Sequence, residues 1–133
     1  MLSVLVAAAP ACSRSSTSGA AASDAVPPAP AFDGWIIKSD TVIAHDKIGA
    51  VAARLGANVK GLRNVTYEVK GKTIQVNVIA APDSTEANKV YVSLTTAKAP
   101  WAAVRKGDVV YEFVGQNDVM QDIKTAHDKL AGP

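Results

Sequence analysis

The chain has 133 residues, room for one domain and a tail, and its 48% hydrophobic and 20% charged residues exclude disorder throughout. Its 14 basic and 12 acidic residues are interspersed and leave a formal net charge of +2, so no strong field is aimed at phosphate and nucleic acid is not an expected partner. A single cysteine, Cys12, excludes an internal disulfide and a multi-thiolate zinc site.

Residues 1–12, MLSVLVAAAPAC, carry an apolar run from Leu2 to Ala9, too short to span a bilayer, followed by small residues before the cysteine. The segment Ala9-Pro10-Ala11-Cys12 resembles the lipobox of bacterial lipoproteins, with Ala9 standing where most lipoboxes carry Leu and no Lys or Arg before Arg14. A start site further upstream would supply the missing basic residues. The resemblance implies that Cys12 is lipidated, becomes the mature N-terminus and anchors the protein to a membrane. Plain export with cleavage after Ala9-Pro10-Ala11 is the alternative. Residues 13–31, rich in Ser, Ala, Thr and Pro, cannot bury enough apolar area to offset their ordering entropy. They read as a disordered tether of 19 residues with a reach of about 25 Å.

From Phe32 the composition turns periodic, which places a single domain over residues 32–133. GWIIK reads as a short strand or entry segment. Ser39 or Asp40 is positioned to cap a helix, or its first turn begins near His45, with Ala44, Ile48, Val51, Ala52 and Leu55 as its stripe and Gly56 as its stop. Val65, Tyr67 and Val69, then Ile74, Val76 and Val78, alternate with polar residues across Lys70-Gly71-Lys72 and predict a hairpin. Asp83 and Glu86 stand in capping-box spacing before a helix striped by Ala87, Val90, Tyr91, Leu94 and Ala97, which Pro100 ends. A second hairpin turns at Lys106-Gly107-Asp108, with Val109, Tyr111 and Phe113 facing one way. Asn117 or Asp118 caps a last helix with Met120, Ile123, Ala126, His127 and Leu130 on one side.

The two Lys-Gly turns, each in a hairpin between helices, point to a degenerate αββ repeat plus a closing helix. The expected fold class is α+β: an antiparallel sheet of two hairpins with helices packed on one face, ferredoxin-like.

Few residues carry chemistry. AHDKI at residues 44–48 returns as AHDKL at residues 126–130, and the only two histidines, His45 and His127, fall on the flanks of amphipathic helices. A divided metal site would need both imidazoles to converge with a third ligand, so the expectation is no metal, with His45 and His127 as the alternative pair. The HD phosphohydrolase pattern needs further histidines. No G-x-S-x-G elbow occurs, and Gly56 to Gly61 lacks the Lys-Ser/Thr of a phosphate loop. Glu68, Glu86 and Glu112 form no pair within one motif, so no enzyme and no cofactor are expected.

What remains is surface. With the apolar alternates turned to the helices, the other sheet face presents Thr66, Glu68, Lys70, Thr73, Gln75, Asn77 and Glu112, with Val110 and Val114 between them. The candidate interaction surface is Thr66, Glu68, Gln75, Asn77 and Glu112, together with Trp35 and Trp101, which sit at element edges where they either cap the core or anchor a partner. Stacking aromatics are missing from that register, a second argument against RNA. The expected function is a non-catalytic, exported or lipid-anchored cell-envelope protein, periplasmic or secreted, that binds a protein partner. Small-molecule or metal binding is the alternative, and a small secreted enzyme a more distant one.

Overall fold

The computed structural model describes residues 26–132. In chain order the elements are β1 (Ile36–Val42), α1 (His45–Leu55), β2 (Gly61–Val69), β3 (Lys72–Ala80), α2 (Ser84–Ala97), β4 (Ala103–Lys106), β5 (Val109–Val114) and α3 (Met120–Ala131). Single 3-10 turns at Pro100–Ala102 and Asn117–Val119 lead into β4 and α3. The protein is α+β: a five-stranded sheet, ordered β1-β2-β3-β5-β4, in which every neighbouring pair runs antiparallel and on which the helices pack.

Both expected hairpins form. Lys70 and Gly71 turn the first with φ of 53° and 79°, the two left-handed residues of a type I′ turn. Gly107, at φ 64°, opens the second, because Lys106 pairs with Val109. The structurally equivalent turn positions are thus Lys70-Gly71 and Gly107-Asp108, one residue out of step with the matching Lys-Gly pairs. The hairpins lie side by side through β3 and β5, each preceded by a helix. That arrangement is the αββ repeat followed by a closing helix.

The helices divide between the two faces, a difference from the one-faced packing expected. On the first face Val65, Tyr67, Ile74, Val76, Val78 and Phe113 form a core with Ile123 and Ala126 of α3. On the second, Leu62, Ile79 and Val110 pack against Ile48 of α1 and Ala87, Val90 and Leu94 of α2. β1 is the direct neighbour of β2 across α1, so the intervening strand of a ferredoxin-like split βαβ unit is not there. The segment read as a possible helix cap is the rest of β1: Ser39 and Asp40 lie in the strand, α1 starts at His45 behind Ala44, and no side chain caps it. β1 is an edge strand bulged between Ile37 and Ser39 and exposed along nearly its whole length, which erases the alternation that would mark a strand.

The other helix ends follow their local chemistry. Gly56 closes α1 in the left-handed conformation at φ 68°. The Asp83 carboxylate accepts the Glu86 backbone N–H at 2.8 Å, while the Glu86 carboxylate turns to the Asn58 N–H at 2.8 Å instead of completing a capping box. α3 has no side-chain cap, since Asn117 and Asp118 belong to the 3-10 turn before it.

The domain boundary lies earlier than Phe32. Val26 is only 4% exposed and belongs to the first core. The Pro27 carbonyl accepts the Arg63 Nε–H at 2.9 Å, and the Pro30 carbonyl accepts the Tyr67 hydroxyl. Residues 26–31, expected in the tether, therefore form an arm laid on the first face. Proline lacks an N–H but keeps its carbonyl, so an extended Pro-Ala segment can be held by donors on the sheet. Among the described residues no helix is long and apolar enough to cross a membrane.

Candidate interaction face

Strand register sorts the second face into rows. The first, Leu62, Ile79, Val110 and Arg105, carries the apolar residues under α1 and α2. The second runs Thr41, Asn64, Asn77, Glu112 and Ala103; the third, Ser39, Thr66, Gln75 and Val114; the fourth, Ile36, Glu68 and Thr73. Apolar residues end with the first row over the middle of the sheet, and the face opens beyond the second.

The second row is a hydrogen-bonded ladder across three strands. Asn64 Nδ2 donates to Asn77 Oδ1 at 2.7 Å, Asn77 Nδ2 donates to Glu112 Oε1 at 2.9 Å, and Lys98 Nζ, just past the end of α2, donates to Glu112 Oε2. Gln75 Nε2 reaches Asn77 Oδ1 from the next row at 3.4 Å. Glu112, 8% exposed, is the buried charged residue of the body, and both its oxygens are occupied. A buried carboxylate left bare would cost several kcal/mol, roughly, so the lysine and the amide fix its position. In the fourth row Glu68 instead pairs with Lys38, the bulged residue of β1, at 3.4 Å. Two apolar side chains flank the open rows: Ile36 at 58% and Val114 at 37% exposure.

The structure thus brings Thr66, Glu68, Gln75, Asn77 and Glu112 onto one face, as their alternation predicts, and adds Asn64 and Lys98. Lys98 had no sequence signal; Asn64 had one, since its polar side chain shares the even register of Thr66 and Glu68. Trp35 and Trp101 do not belong with them. Trp35 packs on the opposite face in an aromatic cluster, with ring centroids 4.6 Å from Phe32, 5.3 Å from Tyr67 and 6.5 Å from Phe113. Trp101 is half-buried against the same core, with Lys124 Nζ 5.8 Å from its ring centroid. Each caps the first core.

His45 is exposed at the first position of α1, over the second face, and His127 is on α3, over the first. The sheet lies between them, so the alternative metal pair is not assembled, and no group of metal-ligating side chains gathers among the described residues. His127 Nδ1 lies 3.1 Å from the carboxylate of Asp128, its own neighbour. Cys12 lies outside the described residues. Comparisons with family models, curated proteins and solved structures find no match to this chain.

Proposed function

We propose that this is an exported binding domain, held to the cell envelope through Cys12, that docks a protein partner on the open rows of the second sheet face. The observation that carries the reading is the uncovered half of that face: hydroxyl and amide side chains at fixed register, bordered by a ladder that immobilises Asn64, Asn77 and Glu112 and flanked by exposed Ile36 and Val114. Immobilised polar groups lose little entropy on binding, and apolar ends supply area, the combination an interface uses. The lipobox-like segment supports the anchor.

A photo-crosslinking side chain at Thr66 or Gln75, introduced in the producing cells, is expected to capture one discrete partner that the same group at Asn88, on the outer surface of α2, does not. Equal labelling from all three positions would refute the docking face. Cys12→Ser is expected to move the protein from the membrane fraction to the soluble one; an unchanged distribution would refute the anchor.

A further inference from the structure

A cleft of about 460 Å³ lies on the other side of the molecule, between the turn that follows the arm, the tip of the first hairpin and α3. This is within the size range of small-molecule sites. Its floor is apolar, made by Phe32, Trp35, Val69 and Ala126. Phe32 and Trp35 are only half-buried, and their rings stand 49° apart, so each keeps surface free toward the cleft. The Asp33-Gly34 turn aims them there: Gly34 takes φ 79°, and the Trp35 N–H closes back on the Phe32 carbonyl at 3.2 Å.

Two lysines stand at the rim, each paired with a carboxylate, and the partner of Lys129 is fully exchangeable with water. Lys129 Nζ is 2.9 Å from Asp33, whose side chain is 95% exposed and can swing into water without a desolvation cost. Lys70 Nζ is 3.2 Å from Asp122. The Lys129–Asp33 pair, exposed at both ends, contributes at most about 1 kcal/mol and yields readily to a competing anion, whereas the Asp122 carboxylate is largely buried and only the Lys70 end of the second pair is free to swing. Lys70 also holds a left-handed backbone at φ 53° that Asn or Gly would fill at lower cost. Lys70 lines the same hollow as Phe32 and Trp35.

We propose that this cleft is a binding site for a small aromatic anion, its ring seated on Phe32 and Trp35 and its acidic group taken by Lys129 in exchange for Asp33, with Lys70 as a second cation. The site is independent of the docking face, on the opposite side of the sheet, and uses neither histidine.

The probe is 8-anilinonaphthalene-1-sulfonate, titrated into the full chain and read by its fluorescence, with uncharged N-phenyl-1-naphthylamine as the comparison. The expected result is saturable one-to-one binding, with the uncharged analogue weaker. Lys129→Glu raises Kd about tenfold, because a charge facing the anion is reversed. Lys70→Asn also raises Kd while leaving the denaturation midpoint no lower, which separates lost recognition from lost folding. Gln121→Trp, at an exposed position on the α3 wall, blocks the cleft, and Lys47→Glu, on α1, changes nothing. Non-saturable binding overturns the site. Equal affinity for the sulfonate and the uncharged analogue, or wild-type affinity in both lysine variants, overturns the anion.

Discussion

Tyr67 shows how one side chain joins the arm to the sheet. Its ring is buried in the aromatic cluster, and its hydroxyl donates to the Pro30 carbonyl. Burial, with the Asp40 charge adding to it, pushes the phenol well above its ordinary value of 10.0. The fold therefore keeps a proton that the unfolded chain sheds near pH 10, so the stability this residue contributes is complete below that pH and is lost as the pH rises beyond it. Tyr67→Phe is expected to cost about 1 kcal/mol at neutral pH, the net worth of one hydrogen bond, with an unchanged urea m-value. Above pH 10 its stability should fall less steeply than that of the native chain; parallel curves would contradict the assignment. Much at this scale was legible in the sequence. Alternation placed Thr66, Gln75, Asn77 and Glu112 on one face, and the spacing of Asp83 and Glu86 marked a real cap. The ladder was not legible as a whole, because Lys98 reaches Glu112 from a helix end whose position over the sheet is tertiary information.

At the scale of elements, the hairpins were readable because period-two patterns and turn residues are local, whereas of β1 only the start was read, in GWIIK, as a strand or entry segment, and its continuation through Val42 was hidden by the bulge and by exposure on both sides. The division of helices between faces did leave a trace. Leu62, Ile79 and Val110 stand in the otherwise polar register, and such residues need a cover of their own; a helix stripe states that it must be buried but not against which face. The junction of β5 with α3 depends on a close approach of a similar kind. A Cβ on Gly115 would lie 2.6 Å from Val119 Cγ2 and 2.9 Å from Ile123 Cδ1, both side chains being packed in the first core. Gly115→Ala should therefore destabilise by about 1–3 kcal/mol through overpacking. A thermal midpoint unchanged from that of the native chain would show that α3 can shift aside at no cost.

For the molecule as a whole, the arm decides where the folded body begins. Its composition reads as tether because Ala and Pro bury little, and the carbonyls that hold it have no side-chain signature. Without residues 26–31, Val26 would be missing from the first core, and Arg63 Nε and the Tyr67 hydroxyl would lose their acceptors. Arg63 would keep Asp40, at 2.7 Å, on the edge strand. The burial of Val26 and the hydrogen bonds from Arg63 and Tyr67 act against the ordering entropy of the arm, and their loss leaves two donors on the first face without their partners. A chain beginning at Phe32 is expected to unfold at a markedly lower urea concentration than one beginning at Ala25, and the latter to match the full chain. If the two truncated chains unfold together, the arm is an ornament on the surface and the body starts at Phe32 after all. If they separate, the hydrogen bonds of Pro27 and Pro30, both made to side chains of β2, belong to the cooperative unit that unfolds.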